Sequence, residues 1–375
     1  MKRHYFVSLL SFIPFFAFAQ STVNGSFDHD GITRTYFSYI PASYSPAQSA
    51  PLILNLHGYT SNNIQQQLYS GFAPIADTAG FIMVFPQGTN ELLTQQPFWN
   101  FGIFGETVDD LGFLEALIDT ISAHYNIDQK RIYSTGMSNG ASMSIFMACR
   151  SNRFAAVASV CGSMSVQNPC TPSYPIPVME IFGTSDPIGP YEGNATSQPI
   201  ENVVSFWVLK NQCNPTPQIT AVPDINTGDG CTAEHYLYSG GIDGHTVEFY
   251  KINNGGHTWP GVIPIPMYGN TCMDFNASKE IWRFFRQFSR ENAVGLANVV
   301  TDTGIAVMPN PSQDQLYIQF GESVKNGSYE LLNINGRLLR RGRLTQSNHV
   351  IDTSDLNVGT YFIRIEIDNS IITRK

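Results

Sequence analysis

Residues 131–140 read RIYSTGMSNG, and the fold turns on how this stretch is read. An apolar run through Thr135 enters Gly136-Met137-Ser138-Asn139-Gly140, a G-x-S-x-G pattern, and residues 139–150 then carry a helical pattern. A strand that turns sharply into a helix needs space on both sides of the turn, which two glycines provide. Such a turn lifts a serine hydroxyl out of the carboxyl edge of a sheet, with the positive end of a helix beneath it. Alone, the pentapeptide reads equally well as a Gly-Ser turn without chemistry; the strand before it and the helix after it favour a nucleophile.

Working outward, short apolar runs recur at Pro51–Leu56, Phe81–Phe85, Ala155–Val160 and Val178–Phe182, with a more alternating run at Thr246–Ile252. Helical patterns lie between them at Val108–Ala123, 200–211 and Ser278–Phe288. Strands alternating with helices predict an α/β fold with a mostly parallel sheet and its active site at the strands' carboxyl ends. Residues 22–44 alternate around Asp28-His29-Asp30-Gly31 and predict a leading hairpin. Near residue 292 the helical signal stops. Seven short β runs follow, from Ile305–Val307 to Ser370–Arg374, and predict a small all-β sandwich. The domain boundaries expected are a leader at 1–19, a catalytic domain at 20–292, a linker at 293–302 and the sandwich at 303–375.

Charge supports that division. The 375 residues carry 21 Lys+Arg and 30 Asp+Glu, a net charge of −9. Residues 301–375 hold eight of each, so the first 300 carry 13 basic and 22 acidic residues and the whole imbalance. Net negative charge argues against nucleic acid or an anionic membrane surface as partner. Met1-Lys2-Arg3-His4, an apolar stretch to Phe18 and the triplet Ala17-Phe18-Ala19 read as a secretory signal, and no later run is long enough to span a membrane. Six cysteines in an exported chain favour disulfides. The pairings expected are Cys213–Cys231 and Cys161–Cys170, each closing a short loop, leaving Cys149 with Cys272. No CxxC, HExxH or zinc-spaced cluster occurs, so neither a metal nor a cofactor is expected.

A serine of ordinary pKa needs a base, and the base needs an orienting carboxylate. Downstream of Ser138, residues 181–186 read IFGTSD, a strand running into a turn that ends at Asp186. Residues 250–261 read YKINNGGHTWPG, a strand ending in a Gly-rich loop around His257. Asp186 is the expected orienting acid and His257 the base. His245 is the rival base, but it precedes its strand and falls at the wrong sheet edge. His57 precedes the nucleophile. The oxyanion donors expected are the backbone N–H groups of Asn139 and Tyr59, with Thr60 next. Asp109-Asp110 opens a helix and reads as its cap, with a substrate role as the alternative. Trp99, in the Pro/Phe-rich loop 97–105, and Trp259, two residues past His257, are candidate substrate-binding rings; Trp259 reads equally as packing.

Together, Leu56-His57-Gly58, Trp99-Asn100, Val108-Asp109-Asp110, the G-x-S-x-G pentapeptide, Gly183-Thr184-Ser185-Asp186 and Gly255-Gly256-His257-Thr258-Trp259-Pro260-Gly261 resemble the poly(3-hydroxybutyrate) depolymerase-like esterases. These are related to the feruloyl and acetyl-xylan esterases of carbohydrate esterase family 1. The resemblance covers about residues 30–290. It implies an α/β-hydrolase fold, the triad Ser138, Asp186 and His257, and hydrolysis of a polymeric ester with no cofactor. Feruloyl or acetyl esters on plant polysaccharide are the expected substrates, with a polyhydroxyalkanoate as the runner-up. A departure is the sequence Tyr59-Thr60-Ser61-Asn62, which lacks the extra Gly or Cys often found there. A peptidase and a non-enzymatic surface adhesion module are the other readings; the complete Ser, Asp and His set argues against the module. Val307-Met308-Pro309-Asn310-Pro311-Ser312, Asn335-Gly336-Arg337 and Asp355-Leu356-Asn357-Val358-Gly359-Thr360-Tyr361 resemble a type IX secretion C-terminal sorting domain. That implies the secretion machinery as partner and a secreted or cell-surface location. The alternative is a carbohydrate-binding sandwich, for which the tail lacks tryptophan.

Overall fold

The computed structural model describes residues 20–290 apart from 104–105. In the C-terminal part it describes 306–308, 314–319, 327–333, 337–344, 348–356, 359, 361–367 and 370–374. The expected leader and linker lie outside the described residues, as do parts of the sorting motifs. The chain forms two compact units, Met1–Glu291 and Asn292–Lys375.

The first unit opens with a hairpin of β1 (Ser21–His29) and β2 (Ile32–Ile40). Asp30 and Gly31 both have positive φ, 48° and 75°, the turn geometry that suits strand twist. There follow β3 (Ala50–Leu56), α1 (Asn63–Ser70), α2 (Ala73–Ala79), β4 (Ile82–Pro86) and the short pair β5 (Thr89–Asn90) and β6 (Pro97–Phe98). Next come α3 (Asp110–His124), β7 (Ile127–Met137), α4 (Asn139–Arg150), β8 (Ala156–Val160) and β9 (Val178–Gly183). The unit closes with α5 (Ile200–Lys210), β10 (Gln218–Ala221), β11 (Thr232–Tyr238), β12 (Val247–Asn253) and α6 (Ala277–Phe285).

Ten strands make one sheet in the order β1-β2-β4-β3-β7-β8-β9-β12-β11-β10. The six from β4 to β12 run parallel and the outer pairs antiparallel. Strands β3, β4, β8 and β9 are buried along their whole length, as a sheet covered on both faces requires. The two faces are read from β7. A Cβ on Gly136 would stand 2.7 Å from Gly140 of α4, whereas Tyr133, on the other face, stacks on Phe285 of α6 at 4.7 Å. The sequence expectation missed α1, α2, β10 and β11. It also shortened β7, whose polar first half, Asp128 to Arg131, carries no apolar signal.

The second unit packs a three-stranded sheet, β13 (Ala306–Met308), β14 (Gln315–Gln319) and β17 (Asn348–Asp352), and a four-stranded one of β15 (Gly327–Asn333), β16 (Leu338–Leu344), β18 (Tyr361–Ile367) and β19 (Ser370–Arg374). Ile318, Leu331, Leu344, Ile351, Ile363 and Ile365 form its own buried core. All its pairings are antiparallel, as the all-β reading requires.

The cysteine pairing differs from expectation. Cys149 bonds to Cys170, with Cα atoms 5.0 Å apart, and Cys161, Cys213, Cys231 and Cys272 are free thiols. Cys149 lies in the last turn of α4, where the neighbouring Arg150 donates to Thr171 Oγ1 (2.8 Å) and Pro169 O (3.0 Å) and draws the 168–171 loop against the helix. Cys161 instead lies at the carboxyl end of β8, and Cys213 lies beside His245 O at the sheet's other edge. Closeness in sequence misled because Cys161 is held against the His257 loop while the 168–171 loop turns back onto α4.

Candidate active site

The geometry starts at the β7–α4 turn. Ser138 adopts φ 56° and ψ −118°, a strained conformation for a side chain with a Cβ. Its N–H is held by Val160 O at 2.8 Å. Gly140 has no room for a side chain: a Cβ there would stand 2.4 Å from Leu56 O. The turn therefore needs glycine for close approach, and α4 begins directly behind the serine.

On the parallel neighbours, Asp186 follows β9 and His257 follows β12. His257 Nδ1 donates to Asp186 Oδ2 at 2.6 Å, which leaves Nε2 for another partner. The second carboxylate oxygen, Asp186 Oδ1, accepts from the N–H groups of Ile188 and Gly189, both at 2.8 Å. A Cβ on Gly183 would meet Gly255 O at 2.3 Å, so the two loops approach as closely as glycine allows. Both the acid and the histidine are buried. Ser138 and His257 share a neighbour: Val160 holds the serine N–H, while the adjoining Cys161 has its Sγ 3.5 Å from Thr258 O. His245 precedes β12 at the opposite edge, with its ring 6.3 Å from that of Phe288, so strand polarity separates the two histidines.

The segment that carries the expected donor Tyr59 is braced by His57, to which the sequence reading gave no structural role. His57 is wholly buried, and its Nε2 accepts from Gly88 N at 2.9 Å. That fixes the proton on Nδ1, which donates to Gly58 O at 2.8 Å. Burial pushes its pKa down to about 4, so the ring stays neutral. A Cβ on Gly58 would stand 3.5 Å from that of Ser138, which sets the Gly58–Tyr59 segment against the nucleophile turn. Thr60 N–H is taken by Pro97 O (2.9 Å), which removes it as the alternative to Tyr59. The Tyr59 hydroxyl bonds Glu91 at 3.0 Å.

Trp99 and Trp259 are both fully buried, so neither presents a ring to a substrate. Trp99 Nε1 donates to His57 O (3.0 Å), and its main chain is clamped by the Asn139 side chain through Trp99 N (2.6 Å) and Trp99 O (3.0 Å). Trp259 Nε1 donates to Ser278 Oγ (3.0 Å), and its N–H to the Tyr69 hydroxyl (2.9 Å). Apolar aromatics bearing one donor are held inside when that donor finds a partner. Asp109 caps α3, accepting from Gly112 N at 2.9 Å, as the helix-start pattern predicts. Asp110 does more: wholly buried, it accepts from Arg34 Nη2 (2.5 Å) and Asn100 N (2.7 Å), tying the Trp99 loop to the sheet. Arg34, in a hairpin strand, gave no sequence signal of a buried ion pair.

The loops at this edge, 57–72, 88–107, 161–177, 187–199 and 254–276, contain no Lys or Arg. A cavity of about 260 Å³ beside the 161–170 loop is lined by Met164, Val166, Gln198, Asn202 and Phe206 among others, none charged. Among the described residues, no helix is long and apolar enough to cross a membrane.

Residues 34–195 match the family described as Esterase PHB depolymerase, and residues 306–375 the Secretion system C-terminal sorting domain. The bifunctional acetylxylan esterase/xylanase XynS20E of Neocallimastix patriciarum is 29% identical over 78% of this chain and 38% of its own length. Feruloyl esterase B of Piromyces equi is 28% identical over 58% of this chain and 41% of its own. The chain thus spans about two fifths of each of these relatives. The solved acetyl xylan esterase from Aspergillus awamori is 14% identical over 68% of this chain and 94% of its own, with a TM-score of 0.48.

The ten-stranded sheet is an α/β architecture with six parallel strands, and the relatives that share its sequence are named as esterases. Residues 34–195 are thus similar to the PHB depolymerase esterases, and residues 306–375 to a type IX sorting domain, the mark of a secreted or cell-surface protein.

Proposed function

We propose that the chain is a serine esterase in which Ser138, His257 and Asp186 act together. Ser138 Oγ attacks the ester carbonyl as His257 Nε2 takes its proton. Asp186 orients the ring through Nδ1, and the N–H groups of Asn139 and Tyr59 receive the oxyanion. The protonated His257 then returns its proton to the leaving alcohol, and water repeats the sequence on the acyl-enzyme. The observation that carries this reading is the 2.6 Å bond between Asp186 and His257 at the sheet end where Ser138 is held in a strained strand-to-helix turn.

The preferred substrates are feruloyl or acetyl esters on plant polysaccharide, with a polyhydroxyalkanoate second. The absence of Lys and Arg from the sequences of these loops supports an uncharged ester, since none of them supplies a cation of its own for a substrate carboxylate. The same feature favours release of the acid product. Hydrolysis of methyl ferulate, acetylated xylan and polyhydroxybutyrate, assayed side by side, tests the assignment. Turnover of the first or second but not the third is expected; turnover of the polyester alone reverses the preference, and turnover of none removes the reading.

A further inference from the structure

Four thiols remain outside the Cys149–Cys170 bond, and their surroundings differ. Cys161 lies against the His257 loop, its Sγ 3.5 Å from Thr258 O, and Cys213 lies 3.6 Å from His245 O at the far edge of the sheet. Cys231 and Cys272 share one locality. A single carboxylate joins their main chains: Asp229 accepts from Cys231 N through Oδ1 (2.8 Å) and from Met273 N, next to Cys272, through Oδ2 (2.7 Å). Asn270 Nδ2 donates to Asn254 O at 3.2 Å, and Cys231 Sγ stands 3.8 Å from that same oxygen. Asp274 Oδ1 closes the arrangement by accepting from the N–H groups of Ile225 and Asn226, both at 2.9 Å. Both thiols are buried.

We infer that Cys231 and Cys272 form a second disulfide in the exported protein, stapling the segment that follows His257 to the start of β11. The chain leaves the cell and carries a disulfide already, so it meets an oxidant that acts on its thiols. The step is thiol–disulfide exchange with an oxidised protein dithiol of the exporting compartment. One cysteine thiolate attacks that disulfide, and the second displaces it from the mixed intermediate. Two electrons and two protons pass to the oxidant, which leaves as the dithiol. Burial first, with Asp229 and Asp274 adding to it, pushes both thiols up to about 12, so the exchange belongs to the folding chain, before the site closes.

The competing occupant is a metal ion, because Asp229, Cys272 and Asp274 place one ligand atom each within 4.8 Å of one another. Both oxygens of Asp229 and Oδ1 of Asp274 are already engaged by main-chain N–H groups, and the thiols resist ionisation, so the disulfide fits better.

The test is peptide mapping of the full chain secreted into an oxidising compartment. The protein is denatured with a thiol-alkylating reagent, without reductant, and digested. Cys161 and Cys213 are expected to be alkylated, and the Cys231 and Cys272 peptides to be joined, two hydrogens lighter than their sum. In Cys272→Ser, Cys231 should become alkylated while Cys149–Cys170 persists. Opening a loop of about 40 residues should also lower Tm by roughly 8–15 °C. Alkylation of both Cys231 and Cys272 in the parent protein overturns the inference, as does a link to a different cysteine or one zinc per chain by elemental analysis. If Cys272→Ser does not fold, the parent map decides alone.

Discussion

Ser138 occupies a backbone region that costs about 1–3 kcal/mol for a residue with a side chain. Cys161 and Asn254, at the ends of β8 and β12, also have positive φ, 56° and 59°. Three of the described left-handed residues thus lie at the strand ends where the chemistry is proposed. Alanine keeps the Ser138 backbone and removes only the hydroxyl, so Ser138→Ala should fold normally and lose about 10⁴–10⁶ in kcat on a small soluble ester. Turnover within tenfold of the parent would sink the mechanism. The two rival histidines separate in the same assay. His257→Ala should abolish turnover, because it removes the partner of Asp186. His245→Ala should keep most of it, because its ring lies at the other sheet edge against Phe288. The reverse result would overturn both the base and the strand polarity behind it.

Strand β9 carries a second kind of tension. Glu180 is buried on the same face as α4; Oε1 accepts from Ser159 Oγ at 2.7 Å, and Oε2 has no partner among the described residues. Burial holds its pKa well above the usual carboxylate range. The folded state thus retains a proton that the unfolded state gives up near its ordinary pKa, and stability falls as pH rises through the interval between them. Glu180→Gln, which resembles the protonated form, should be more stable than the parent by roughly 1–3 kcal/mol at pH 8–9. The gain should vanish towards pH 4. Denaturant melts at several pH values measure this, and parallel curves for the two proteins would contradict it. Most parallel strands and their helices were legible because apolar runs at this spacing have few other uses. Strand β10 is exposed throughout, and α1 carries Gln at 65, 66 and 67, so neither shows a clean apolar period. The pairing of Asp186 with His257 was legible from strand-end motifs. His57 and Arg34 were not, because a single polar residue in a strand or its loop does not announce that a fold will bury it and supply its partners.

The molecule divides where charge and texture change, and each unit has its own buried core. A chain ended at Asn298 should fold and keep kcat/KM on a soluble ester within about twofold, since a unit supplying neither core nor chemistry to its neighbour is dispensable to it. In the native host the same truncation should stop delivery to the medium or cell surface. An insoluble shortened chain would make the tail part of the catalytic unit, and normal export without it would remove its sorting role. The cation-free loops have a consequence at this same scale. Lys130, Arg131, Arg153 and Lys210 lie away from the strand-end loops, while Arg150, at the end of α4, bonds Asn168 and Thr171 of the 161–177 loop and Lys251 of β12 stands over the Tyr191 ring; the loops themselves carry Glu91, Glu106, Glu192 and Asp274. The strand-end loops are thus net acidic in sequence and repel anions over about one Debye length, roughly 10 Å at 0.1 M salt. Uronate-bearing polysaccharides should approach slowly in dilute buffer and faster as ions screen the field. Raising salt from about 10 to 300 mM should increase kcat/KM several-fold on an ester carried by an acidic polymer and leave a neutral ester nearly unchanged. On a plant wall of mixed composition, ionic strength would then set which regions of polymer the enzyme reaches first.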